Sequence, residues 1–236
     1  MLSAPAVASE CRFAMRAELT VSLAARAWEL VDEAISATDE AAIVLAGGST
    51  PVPLYNTLRE LPLPWSRLTI APSDERWVGI DHEASNEGML RREFFASSAT
   101  DANVVSLARH EDDIERDAAR VERALARRTA PWDFVLLGMG TDGHTASLFP
   151  GAPELPTALS AERRCVPVTP QTADHRRLTL SAAELLNSRR IILLLTGQEK
   201  WDVYREACAD DDISAMPVRA ILHQQQTPVD VYWSAN

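Results

Sequence analysis

Apolar positions in this chain fall into two alternating patterns: short unbroken runs, and longer stretches in which they return every third or fourth residue. Residues 18–38 show the second pattern, with Leu19, Leu23, Ala27, Leu30, Val31, Ala34 and Ile35 on one face of a predicted helix. The run over residues 42–46 predicts a compact strand ended by Gly47 and Gly48, after which Thr50 as N-cap and Pro51 at the first helical position predict a helix to about residue 60. A strand over 68–71 leads into a charged loop at Ser73, Asp74, Glu75 and Arg76, and Ser85 or Asn86 caps a helix through residue 95. The stripe Ile114, Ala118, Val121 and Leu125 predicts a charged helix over about 111–127, followed by the buried strand 134–137. Beyond Pro150, four prolines (Pro153, Pro156, Pro167 and Pro170) argue against helix. Residues 177–180 then read as a strand with Ser181 capping a short helix, 191–195 as another buried strand, 199–209 as its helix, and 229–233 as an edge or final strand.

Repeated strand–loop–helix units imply an α/β fold with a largely parallel sheet. Ligands in such folds bind at the carboxyl ends of the strands. The glycine turn at 47–48, the 73–76 loop and the turn after 137 all follow strands, which places them on one rim. No internal repeat, low-complexity tract or linker interrupts the chain, so one domain over 1–236 is expected, with residues 1–16 as a loosely ordered or edge-packed extension.

Hydrophobic residues make up 46% of 236, enough for a substantial core. With 23 basic against 34 acidic residues the net charge is −11, which disfavours nucleic acid or an anionic membrane as partner but not a small anion held by a few converging cations. Cys11, Cys165 and Cys208 are odd in number and far apart, so neither a disulfide framework nor a zinc site is indicated. No apolar run is long enough to span a membrane and no secretory signal opens the chain, so a soluble cytoplasmic protein is expected.

The most informative segment is Leu137-Gly138-Met139-Gly140-Thr141-Asp142-Gly143-His144. Three glycines permit a sharp turn and close approach to a ligand, and they set an imidazole, which moves protons near neutral pH, two residues from a carboxylate. The letters match the dinucleotide fingerprint GxGxxG, but Pro150 and Pro153 break any following helix, so no dinucleotide cofactor is expected. Gly47, Gly48, Ser49 and Thr50 could offer backbone N–H and hydroxyl groups to an anion, or form an ordinary capped turn; no Walker A lysine follows. Asp74, Glu75 and Arg76 could be rim residues or solvated charges. Arg177 and Lys200 would serve a phosphate only if they converge. His82, His110, His175 and His223 lack metal-site spacing, and Ser147 lacks a GxSxG elbow, so neither a metal nor a serine nucleophile is expected.

Taken together, Gly47-Gly48-Ser49-Thr50-Pro51, Ser73-Asp74-Glu75-Arg76, Ser85-Asn86 and the block from Leu137 through His144-Thr145-Ala146-Ser147-Leu148-Phe149-Pro150 resemble the 6-phosphogluconolactonase branch of the glucosamine-6-phosphate isomerase family. The resemblance spans roughly residues 18–235. It implies a three-layer Rossmann-like fold of the sugar-phosphate isomerase type and hydrolysis of 6-phospho-D-glucono-1,5-lactone in the oxidative pentose phosphate pathway. It implies His144 as the catalytic base, with Asp142 and Asp74 supporting it. Gly47, Gly48, Ser49, Thr50, Arg76, Asn86, Arg177 and Lys200 would hold the sugar phosphate, with no cofactor or metal, in a monomer or weak homo-oligomer. Residues 171–176 depart from the family pattern, so Arg176 competes with Arg177 for the pocket position; Trp201 is larger than the family's usual residue after the lysine. Two other readings keep the same pocket. An amino-sugar phosphate deaminase or isomerase would need a carboxylate where Ser147-Leu148-Phe149-Pro150 stands, and a non-catalytic sugar-phosphate sensor would need no Asp–His pair.

Overall fold

The structure is a computed structural model that describes residue 5 and residues 7–95, 102–109 and 112–236. In chain order its elements are β1 (Val7–Phe13), α1 (Arg16–Thr38), β2 (Ala41–Leu45), α2 (Val52–Leu58), β3 (Leu68–Pro72), β4 (Asp74–Arg76), α3 (Asn86–Glu93), β5 (Asn103–Val104) and α4 (Ile114–Ala126). They continue with β6 (Phe134–Leu137), α5 (Leu155–Leu159), β7 (Cys165–Val168), β8 (Arg177–Leu180), α6 (Ala182–Leu186), β9 (Ile191–Thr196), α7 (Gln198–Ala209), α8 (Arg219–Leu222) and β10 (Val229–Ser234). Seven strands form one sheet in the order β1-β10-β9-β6-β2-β3-β5, every pair parallel. A second, antiparallel sheet has the order β4-β8-β7.

The large sheet is buried on both faces, which is why its central strands read as unbroken apolar runs. Alternate residues serve alternate layers. Ile43, Leu45, Phe134, Leu136, Ile192 and Leu194 pack under α1, α2 and α3 with Leu23, Tyr55 and Leu90. Val44, Val135, Leu137, Ile191, Leu193 and Leu195 pack on the other side with Val121 and Leu125 of α4, Tyr204 of α7 and Leu222 of α8. Each fully buried aliphatic side chain contributes roughly 1.5–3 kcal/mol by leaving water, so both faces stabilise the frame. This is the three-layer α/β arrangement expected from the sequence.

From β2 the chain winds to β3 and β5 in one direction, then crosses back to β6 and on through β9 to β10 in the other. The winding reverses between β2 and β6, and their carboxyl ends open a crevice there. Gly47 follows β2 and Gly138 follows β6, so both glycine turns rim the crevice.

Some elements differ from the sequence reading. The 73–76 segment is not a loop: β4 pairs with β8 in the small sheet. Residues 165–168 form β7 despite Pro167, because β7 is an edge strand and needs no donor on its outer side. Pro156 sits in the first turn of the short α5, where its missing N–H is harmless. β10 closes the chain but is not an edge, since β1 pairs beyond it. Thr50 makes no side-chain cap; α2 starts at Val52 with Pro51 before it. Ser85, by contrast, caps α3 through Gly88 N–H at 2.9 Å, and Ser181 caps α6. Glu111, where the sequence pattern begins α4, and His110 before it lie outside the described residues.

Candidate active site

The crevice is a cavity of about 410 Å³. Its walls come from the ends of four neighbouring parallel strands: Ala46, Gly47 and Gly48 after β2, Ser73 and Asp74 after β3, Gly138, Met139 and Gly140 after β6, and Thr196 with Lys200 after β9. Thr50, Arg76, Asn86, His144, Phe149 and Arg177 complete it. Ser49 is exposed and Asp142 stands behind His144; neither lines the cavity.

His144 is held from three directions. Its Nδ1 lies 2.5 Å from Asp142 Oδ1, and its own backbone N–H also donates to that oxygen at 3.2 Å. Its ring packs on Phe149 with centroids 4.3 Å apart. An ionised carboxylate only accepts, so Nδ1 carries the proton and Nε2 is left with a lone pair. Although partial burial works the other way, the hydrogen bond and charge of His144 hold the Asp142 carboxyl below its ordinary range. Gly140 makes this packing possible, because a Cβ there would overlap His144 Nδ1 and Asp142 Oδ1.

The turn after His144 is strained and pinned. Ala146 adopts φ 48°, a left-handed conformation costly for a residue with a Cβ. Ser147, fully buried, fixes it: its N–H donates to Thr179 Oγ1 at 3.1 Å and its hydroxyl donates to Asp74 Oδ2 at 2.5 Å. Asp74 also accepts from Ser73 Oγ and Asn86 Nδ2. A small apolar cluster of Leu148, Phe149, Leu155, Val166 and Val168 anchors the turn from behind.

The cationic wall is built on the small sheet. Arg76 and Arg177 are direct partners across the β4–β8 ladder. Directly opposed like charges destabilise an antiparallel pair unless something negative lies between them. Burial draws the Arg177 guanidinium below its usual range and Arg76 adds to the effect, opposed by Asp74. Each arginine satisfies one carbonyl, Arg76 at Ala84 O and Arg177 at Asp174 O. Their Nε atoms, however, are buried without a partner, as is Asn86 Oδ1. The two orphaned Nε–H donors are what an anion would satisfy, whereas the Asn86 oxygen, an acceptor, calls for a hydroxyl donor. Arg176, the competing position, is exposed with its guanidinium 5.7 Å from the Trp77 ring. Glu75 points away from the cavity, accepting from the N–H groups of Arg76, Asn86 and Glu87 and from Ser85 Oγ. Burial pushes its carboxyl up to about 7 against the pull of those donors.

Lys200, in the first turn of α7, closes the opposite side. Partial burial draws its ammonium below the ordinary lysine range, with Glu199 and Asp142 pulling the other way. Among the described residues no three His, Cys, Asp or Glu side chains gather as a metal would require, and no helix is long and apolar enough to cross a membrane. Sequence reasoning did not single out Phe149, Ser73 or Thr196 as cavity walls. Phe149 stood inside the quoted block, but only packing tells a ring that shapes a pocket from one that fills a core.

Known proteins share this architecture. A 6-phosphogluconolactonase from Pseudomonas putida is 37% identical over 98% of this chain and 95% of its own length. The crystal structure of a 6-phosphogluconolactonase from Shewanella baltica superimposes with a TM-score of 0.93 at 41% identity, covering 96% of this chain and 97% of that one. That from Thermotoga maritima gives 0.81 at 25% identity, covering 96% and 100%. Residues 14–233 match the profile of the glucosamine-6-phosphate isomerases/6-phosphogluconolactonase family. That span takes in the glycine turns, the opposed arginines and the Asp142–His144 pair alike, and this chain is a member of that family.

Proposed function

We propose that the cavity hydrolyses 6-phospho-D-glucono-1,5-lactone to 6-phospho-D-gluconate, with His144 as general base. The observation that carries this reading is a histidine whose Nδ1 is committed to a carboxylate, in a cavity also lined by two arginines whose buried Nε atoms lack partners. Nε2 takes a proton from water as its oxygen attacks the lactone carbonyl carbon. The resulting imidazolium, stabilised by Asp142, returns that proton to the ring oxygen as the ester C–O bond breaks. The single ring-opened product carries both the new carboxylic acid, which ionises, and the freed sugar hydroxyl. Arg76, Arg177 and Lys200 hold the phosphate, with Thr50, Gly47 and Gly48 facing the same space. This fixes the reacting carbon near His144, so remote binding contributes to the barrier. No acidic side chain stands at residues 147–150 to assist an amino-sugar ring opening, which favours the lactone over a deaminase substrate.

The test is the rate of 6-phosphogluconate appearance from freshly generated lactone, with spontaneous hydrolysis subtracted. Acceleration supports the reading; ammonium release from glucosamine-6-phosphate in its place would overturn it.

A second outcome concerns Lys200. A cation whose folded pKa is lowered keeps its charge only at lower pH, so its contribution to phosphate binding is present below that pKa and lost as pH rises through it. Titrating 6-phosphogluconate affinity upward towards about pH 10 should show weakening earlier than an exposed lysine would give. Lys200→Arg should flatten that dependence, because a guanidinium stays protonated throughout the range.

A further inference from the structure

Arg16 is the first residue of α1, where a positive charge opposes the helix macrodipole and an acidic or capping residue is preferred. Nothing in the packing of α1 explains the choice. Its guanidinium instead leaves the helix and reaches the turn between β2 and α2, donating from Nη2 to Thr50 O at 2.8 Å and to Ser49 O at 3.4 Å. Ser49 O also receives the Val52 N–H at 3.3 Å. A carbonyl and the next N–H point to opposite edges of their planar peptide. Holding Ser49 O towards Arg16 and Val52 therefore turns the Thr50 N–H the other way. Thr50 lines the cavity whereas Ser49 does not, as expected if the free edge of this peptide faces the cavity. The need for an anion in this cavity has its own support in the unpartnered Nε–H donor of Arg177, on a side chain more than nine-tenths buried.

We infer that Arg16 is a positioning residue for phosphate: from outside the cavity it locks the Ser49–Thr50 peptide so that the turn presents its N–H, and adds a positive charge behind it. This rests on the phosphorylated-substrate reading above. It extends the site to a residue seen neither in the cavity lining nor in the sequence motifs.

The experiment compares Arg16→Ala and Arg16→Lys with the unaltered protein on two lactones, 6-phosphogluconolactone and unphosphorylated glucono-1,5-lactone, alongside the affinity for inorganic phosphate. Arg16→Ala should raise KM for the phosphorylated lactone and weaken phosphate binding about ten-fold, the size of one lost charge-assisted hydrogen bond. It should leave kcat, and kcat/KM for the unphosphorylated lactone, within about two-fold. Arg16→Lys, which keeps the charge and one donor, should recover most of the loss. An unchanged KM in Arg16→Ala, or an equal loss on both lactones, would overturn the inference. Should the unaltered protein turn over neither lactone, the lactonase reading fails by itself, and the inorganic phosphate arm still decides for or against Arg16.

Discussion

Replacing His144 by alanine should lower kcat by about 10²–10⁴-fold, the usual contribution of a positioned general base, while 6-phosphogluconate binds within about two-fold of its original affinity. The split follows from the geometry. The proposed phosphate ligands stand on β4, β8 and α7, whereas His144 hangs from the turn after β6 and is fixed by Asp142 and Phe149. Removing the imidazole leaves the cationic wall intact. Asp142→Asn should reproduce much of the loss, since an amide can present a donor to Nδ1 and favour the wrong tautomer. The measurement is initial rate against lactone concentration, corrected for spontaneous opening, beside calorimetric binding of product. A His144→Ala protein that retained kcat would remove the imidazole from the chemistry.

Gly140→Ala should cost nearly as much without touching an ionisable group. The new methyl would occupy space already filled by His144 Nδ1 and Asp142 Oδ1, and neither is the far end of a flexible chain, because each holds the other. The pair must move by on the order of 1 Å, and a displacement of that size at reacting atoms lowers rates by about 10²-fold. Product affinity should survive, since Gly140 N–H bonds His144 O and leaves the turns after β2 and β3 alone. Equal losses in kcat and product affinity would mean that the whole turn had rearranged, against this prediction.

What the sequence disclosed and what it hid divide along a physical line. The large sheet was legible because its inner strands are apolar on both faces, so short unbroken runs such as residues 191–195 admit few other structures. The rim followed from topology: residues just past such strands converge at their carboxyl ends. Of the small sheet only its central strand, residues 177–180, was legible. Asp74-Glu75-Arg76 carries three charges, and such a tripeptide is usually solvated. Here Glu75 is 1% exposed, compensated by the N–H of Arg76 beside it and by two N–H donors and a hydroxyl from Ser85, Asn86 and Glu87, which only tertiary structure brings near. Pro167 masked β7 for a related reason, since a proline is tolerated only at a sheet edge and position in a sheet is not written locally. Arg16 fell outside every motif because its partners are backbone carbonyls 33 and 34 residues away, which carry no side-chain signature.

The opposed arginines of β4 and β8 have a consequence beyond binding. Two arginines directly opposed in one ladder make the empty protein less stable than it could be, a burden that Asp74 offsets in part and a bound anion would relieve further. Variants chosen solely for heat resistance should therefore drift towards neutral residues at Arg76 or Arg177, gaining melting temperature as they lose turnover. Durability and catalysis compete here at a single rung of a three-stranded sheet, and selection on either alone would move the other in the opposite direction.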